Sequence, residues 1–246
     1  MSDELSADGI ERRLRHKELD VRVYRTISST NTVLKALAAD GAGANLALVA
    51  EHQTAGRGRM GRSFCSPSGT GLYFSLLLRP KVPAAEAMSI TACAAVAVSR
   101  TIEELTGRST RIKWVNDILI GQKKVCGILT EAGIDAETGM LRYAVIGVGI
   151  NVREPEGGFP PEIAGIAGAV TGQSAPYSPL SYRMPLLLVL EVPRTRILVE
   201  LRFDVAFLSN ILGFVLNLYC QLNLLVSLLI LGRSEAWFLF FAFSAI

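Results

Sequence analysis

The junction at residues 46–62 constrains this chain more than any other stretch. An apolar, strand-like run, Leu46 to His52, gives way to Gln53-Thr54-Ala55-Gly56-Arg57-Gly58-Arg59-Met60-Gly61-Arg62, in which glycine and arginine alternate. No acidic residue lies between Glu51 and Glu86, so nothing nearby in sequence neutralises Arg57, Arg59 and Arg62. Glycine lets the backbone turn sharply and brings its N–H groups close to a ligand. Each guanidinium adds a planar fork that matches carboxylate or phosphate oxygens two at a time. The stretch therefore points to a small anionic ligand.

Three other readings of the same residues are weaker. Gly56, Gly58 and Gly61 satisfy G-x-G-x-x-G, but that pattern marks a dinucleotide site only between a strand and a helix. Here Ser66 to Gly71 reads as a turn and Leu72 to Leu78 as a second strand. The lysine-serine pair of a P-loop is absent. Nucleic-acid binding would call for interleaved aromatics to stack bases, and the loop lacks them. A merely solvated basic loop is the bland alternative.

The chain has 246 residues and a net charge of +3, enough length for a real core and too little charge to imply a polyanionic partner. Cys65, Cys93, Cys126 and Cys220 show no paired spacing, and His16 and His52 are the only histidines. A zinc site or a Ser-His-Asp triad is thereby disfavoured. Unpaired thiols and the lack of an apolar core in the first twenty residues suit a cytoplasmic protein without a secretory signal.

In chain order, Ile10 to Leu19 reads as a short polar helix and Val21 to Ile27 as an edge strand. Ser28-Ser29-Thr30-Asn31 precedes Val33, Leu34, Leu37 and Ala38 at helical spacing, so these residues cap a helix or wall a second polar pocket. Ala84 to Leu105 is a long alanine-rich helix ending at Gly107. Arg111 to Ile120, Lys123 to Ala132 and Tyr143 to Asn151 are strand-like. Strands outnumber helices and connections are short, giving an α/β (α+β) fold with a mixed, largely antiparallel sheet and flanking helices.

Three of these runs carry chemistry. Asn116 and Asp117, after Lys113-Trp114-Val115, set an amide and a carboxylate at a strand break, as a magnesium or ribose contact requires. Lys123 and Lys124 lie in a hairpin, either as solubilising charges or with Lys124 at the mouth of the sheet. Gly147 and Gly149, before Asn151, permit a ligand ring to approach the backbone.

Taken in order, Ser29-Thr30-Asn31, Gln53 to Arg62, Lys113 to Asp117, Lys124 with Gly127-Ile128-Leu129, and Gly147 to Asn151 resemble the motifs of biotin protein ligases over residues 20 to 155. The resemblance implies a catalytic domain of the class II aminoacyl-tRNA synthetase and biotin synthetase type. It implies ATP and biotin as substrates with Mg2+, biotinyl-adenylate as intermediate, and a lysine of a biotin carboxyl carrier domain as acceptor. Ser29, Thr30 and Asn31 would meet the biotin head group beside Gln53, with Gly127 also on the biotin side. Arg57, Gly58 and Arg59 would close over the carboxylate and adenylate phosphate, with Lys124 stabilising charge as they react. Arg62, Trp114, Asn116, Asp117 and Asn151 would serve the nucleotide, Asp117 being the candidate Mg2+ ligand. The glycines would act as hinges of a loop that orders over the intermediate.

The resemblance divides the chain into a polar extension, 1–20, a ligase domain, 21–175, and a C-terminal segment, 176–246. Val115 stands where such ligases usually have proline, which would loosen the Asn116-Asp117 turn. Twenty residues before the first strand leave no room for a helix-turn-helix, so operator DNA binding is not expected; a homodimer is compatible with the sequence. In place of the family's helices and SH3-like barrel, beyond a Gly/Pro-rich linker at 157–185, Val205 to Gly232 has no charged residue. That run is long enough to span a bilayer, with Arg194, Arg196 and Arg202 before it and only Arg233 closely after. A buried helical pair and an out-of-frame end from about Pro176 are the alternatives. Rival functions are a lipoate ligase and a membrane-tethered, non-catalytic relic of a ligase.

Overall fold

Central strands buried on both faces organise this fold. The structure is a computed structural model that describes residues 5–14 and 19–171. Its elements are α1 (Ala7–Arg13), β1 (Asp20–Ile27), α2 (Thr30–Ala39), β2 (Leu46–Gln53), β3 (Gly71–Leu78), α3 (Ala87–Thr106), β4 (Arg111–Lys113), β5 (Asp117–Ile120), β6 (Lys123–Ile134), β7 (Leu141–Asn151) and α4 (Pro161–Ala164). The strands form one seven-stranded sheet in the order β1-β2-β3-β7-β6-β5-β4. Only β1 and β2 pair in parallel, joined through α2, and every other pair is antiparallel. The expected mixed sheet with flanking helices is present.

Successive strand residues point to opposite faces, so each strand supplies two cores. On one face Ala47 and Val49, Leu72 and Phe74, and Ala144, Ile146 and Val148 pack with α1 and α3. The α3 contribution is Ile90, Ala94, Ala95, Val98 and Ile102, a stripe at helical spacing whose small members let the helix lie close to the sheet. Gly107 ends that helix in the left-handed conformation, at φ +67°.

On the other face Leu46, Leu48, Ala50, Leu77, Tyr143 and Val145 pack against Leu34 and Ala38 of α2. A ten-residue helix is only about 15 Å long, and beyond its first turn the same rows of the sheet continue as Ser75, Gly147, Gly149 and Gly127. Gly147 pairs with Ser75, and Gly149 pairs with Tyr73 on one side and Gly127 on the other. Where α2 stops, the sheet surface is thus a trough floored by residues with little or no side chain.

Four expectations change. The N-terminal segment is not a polar extension: its helix begins earlier than expected, at Ala7, and Leu5, Ile10 and Leu14 are buried in the α1–α3 core. The strand expected over Arg111 to Ile120 is two short antiparallel strands, because the chain folds back at Trp114–Asn116 and pairs Lys113 with Asp117. Val115 does not loosen that turn, since its side chain is buried and the Ile128 N–H holds the Asn116 carbonyl at 2.8 Å. The Gly/Pro-rich stretch from 157 is anchored rather than a bare linker. Lys124 N–H donates to the Ile166 carbonyl at 2.7 Å, Gly168 N–H to the Lys124 carbonyl at 2.9 Å, and Val170 is fully buried. The expected domain boundary at 175/176 and every expectation for the apolar C-terminal segment, membrane contact included, fall outside the described residues.

Candidate active site

The trough becomes a cleft of about 440 Å³, partly open to solvent, by the addition of three walls.

The first wall is the start of α2. Ser29 caps the helix, its Oγ accepting the Thr32 N–H at 3.4 Å. Thr30 and Asn31 are buried beside it and both meet Ser75 of β3, whose Oγ lies 2.7 Å from Thr30 Oγ1 and 2.7 Å from Asn31 Oδ1. One hydroxyl proton cannot serve both acceptors at once, so the two bonds share it. Gln53 Oε1 accepts from the Thr30 N–H at 2.9 Å and from its hydroxyl at 3.2 Å. Its Nε2 continues to Ser66 Oγ at 2.9 Å. Ser29 and Gln53 therefore satisfy N–H groups at the helix start while all four residues, with Thr30 and Asn31, wall the pocket. The two readings open from sequence are not exclusive.

The second wall is the Gly/Arg loop, a tight hairpin with its own backbone bonds: Gly58 N–H to the Arg62 carbonyl at 2.7 Å and Phe64 N–H to the Gly56 carbonyl at 2.9 Å. Gly61, at φ +74°, closes its tip in a conformation that favours glycine. Arg57, Gly58 and Arg59 line the cleft. Arg57 Nη1 reaches both oxygens of Glu131, at 3.1 and 2.9 Å, and Arg59 Nη1 donates to Asn116 Oδ1 at 2.8 Å. The loop is thus latched to the sheet on both sides of the trough.

The third wall is the hairpin end. Lys124 Nζ sits 2.8 Å from Asp117 Oδ1, and Asn116 Nδ2 donates to the same oxygen at 2.9 Å. Lys123 turns elsewhere: its Nζ donates to the Ala164 and Gly165 carbonyls at 2.8 and 2.9 Å, capping α4. The two adjacent lysines are separated by the strand's two faces, with Lys124, the one singled out from sequence, on the cleft side.

The glycines of the floor are required by space. A Cβ on Gly149 would stand 2.5 Å from the Phe64 ring, one on Gly127 would stand 3.1 Å from Lys124 Nζ, and one on Gly147 would collide with Asn31 Oδ1. Phe64, edge-on to Tyr73 with centroids 6.3 Å apart, is the apolar surface over the floor.

Of the site residues expected from sequence, Ser29, Thr30, Asn31, Gln53, Arg57, Gly58, Arg59, Asn116, Lys124 and Gly127 line this one cleft. Arg62, Trp114, Asp117 and Asn151 do not. Arg62 is exposed, Trp114 is 65% exposed beside the turn, and Asn151 Nδ2 is spent on the Gly168 carbonyl at 3.0 Å. Asp117 is committed to Lys124, and no group of three His, Cys, Asp or Glu side chains occurs among the described residues.

Sequence reasoning missed Glu131, Ser75, Ser66 and Phe64. Apart from Tyr73, Ser75 is the one residue with a polar group inside Leu72 to Leu78, and Glu131 follows from Gly127 by period-two steps through Leu129. Glu131 is mostly buried, which works to raise its pKa. Hydrogen bonds from Lys35 and Asn31 and the charges of Arg57 and Lys35 outweigh that, and the carboxyl titrates below its ordinary range. Burial pushes the Cys126 thiol far up against the pull of Lys124, which makes it an inert core residue.

The sequence model of the biotin/lipoate A/B protein ligase family matches residues 23–151, just over half of the chain and all three walls. The chain belongs to this family. Among its relatives, the bifunctional ligase/repressor BirA of Bacillus subtilis is 46% identical over 148 residues, which are 60% of this chain and 45% of that protein. The biotin--[acetyl-CoA-carboxylase] ligase of Mycobacterium tuberculosis is 36% identical over 143 residues, 56% of this chain and 50% of that one. The chain thus spans about half the length of these relatives. Among solved structures, the biotin protein ligase from Aquifex aeolicus in complex with biotin and ATP superposes with a TM-score of 0.56 at 32% identity, covering 74% of this chain and 70% of that one. The resemblance read from the motifs is thereby established, and the fold is the mixed α/β sheet of the biotin protein ligase family.

Proposed function

We propose that this chain is an ATP-dependent biotin ligase: it joins biotin to the adenylate of ATP and passes the biotinyl group to a lysine of a biotin carboxyl carrier domain. One observation carries the reading. Arg57, Arg59 and Lys124 line one cleft with the glycines of its floor, the Phe64 ring and the polar wall of Ser29, Thr30 and Asn31. A flat ring with hydrogen-bonding edges fits against that wall over the glycines, and its carboxylate tail then lies toward the cations.

In the first step a biotin carboxylate oxygen attacks the α-phosphorus, forming the mixed anhydride and breaking the bond to the pyrophosphate leaving group. Two anions must meet, and fixed cations offset their repulsion without reorganising as charge shifts. Positioning and charge stabilisation then supply most of the rate, with no covalent enzyme intermediate. Magnesium would arrive with ATP, held mainly by phosphate oxygens; the Asp117 pair with Lys124 offers it one carboxylate at most. In the second step the carrier's neutral lysine amine attacks the acyl carbon, AMP leaves, and the amine's proton passes to solvent. The latched loop shields the anhydride from water meanwhile. The ATP requirement and the thiols of Cys65 and Cys126 favour a cytoplasmic setting.

The test is to incubate the full chain with ATP, magnesium, biotin and a biotin carboxyl carrier domain, and to follow biotin incorporation by intact mass. One biotinyl group on one lysine, absent without ATP, is the expected result. Incorporation of lipoate in preference to biotin would overturn the substrate assignment, and no incorporation of either would overturn the activity.

A further inference from the structure

An acidic residue beside an anion site works against the site unless it has a separate task. Glu131 is such a residue: its side chain is 13% exposed, and the loop, α2 and β6 converge on it. Its oxygens accept from Arg57 Nη1 at 3.1 and 2.9 Å, Lys35 Nζ at 3.0 Å and Asn31 Nδ2 at 3.2 Å. Arg57 spends only Nη1 on it, leaving Nη2 and Nε without a partner among the described residues. Asn31 divides its amide between Glu131, the Leu129 carbonyl at 3.1 Å and Ser75. The residue that walls the inner end of the trough and the residue that closes its outer side therefore share one carboxylate.

We infer that Glu131 is a positioning residue of the ligase reaction, holding the Arg57 fork at the cleft and coupling it, through Asn31, to occupancy of the ring end. This rests on the cleft being the biotin site. With the carboxylate in place, Arg57 presents two free donors in a fixed orientation, and a ring that settles against Asn31 acts on the same group that latches the loop. Without it, the guanidinium must be ordered at each binding event, and the cost falls on biotin rather than on ATP.

The experiment is biotin-dependent pyrophosphate–ATP exchange with the full chain. Glu131→Gln raises the KM for biotin roughly ten- to hundred-fold, the loss of one charge-assisted hydrogen bond, while the KM for MgATP stays nearly unchanged. Arg57→Gln gives a rise of similar size, and Glu131→Gln combined with Arg57→Gln is no worse than Arg57→Gln alone, as for residues acting through one contact. Glu131→Asp, which keeps the charge, recovers part of the loss. Should Glu131→Gln fail to fold, Glu131→Asp and Arg57→Gln carry the same comparison through the ratio of the two KM values. An unchanged biotin KM, an equal rise in both KM values, or multiplying losses in the double variant would overturn the inference. A wild-type chain without biotin-dependent exchange would instead refute the proposed function.

Discussion

Replacing Lys124 with methionine separates chemistry from stability. The apolar stem survives the change and only the ammonium is lost. A unit charge about 4 Å from a developing negative oxygen, at the effective dielectric near 20 of a half-open cleft, is worth about 4 kcal/mol. That corresponds to a roughly thousand-fold loss in kcat/KM for pyrophosphate exchange. The loss of Lys124 also frees the carboxylate of Asp117, 2.8 Å away, to repel the incoming phosphate. Asp117→Asn in the same background should therefore return part of the rate. Folding responds little, because the two side chains are 32% and 22% exposed and such a pair contributes about 1 kcal/mol or less. Lys123→Ala is the matched control. It removes the same charge one residue away, but from an ammonium that caps α4, so exchange should fall no more than a few-fold. The assay is exchange at saturating MgATP with varied biotin, beside a thermal melt of each variant. Lys124→Met exchanging at the wild-type rate, or Lys123→Ala falling as far as Lys124→Met, would refute the electrostatic assignment.

Gly149→Ala drives a Cβ to 2.5 Å from the Phe64 ring. It should cost about 1–3 kcal/mol, lower Tm by about 2–10 °C and block biotin binding in calorimetry. Arg59→Ala should slow exchange strongly with little change in Tm, because its contact to Asn116 is exposed. Stability should fall on acidification. Glu131 in the folded chain titrates below its ordinary value of 4.5, so the stability it contributes is present above that pH and is lost as the pH drops through the depressed native value. Melts of the wild type and of Glu131→Gln between about pH 3 and pH 6 check this, the variant showing the shallower decline.

The sheet was legible wherever one face of a strand meets a core and the other meets a helix, as in Leu46 to Gln53 and Leu72 to Leu78, since apolar runs bounded by glycine and serine have few other solutions. The cap at Ser29 and the stop at Gly107 were legible because local backbone chemistry sets them. The fold-back at Trp114–Asn116 was not, because a three-residue strand leaves no period to count. Nor was the burial of Ile10 and Leu14, whose core cluster includes Val49 and Ile90, far from them in sequence.

What the residues determine alone is the chemistry available: three unneutralised guanidiniums, a hairpin amine and glycines where a backbone must be approached. Tertiary structure decided which of those groups meet. Strand parity sends Lys124 to Asp117 and Lys123 to α4, pairing across the sheet sets Gly127 beside Gly149, and the short reach of α2 leaves the space over those glycines to Phe64 and Lys124. Folding also gave Glu131 and Ser75 their place, since a residue's charge is written in the chain but its neighbours across three strands are not.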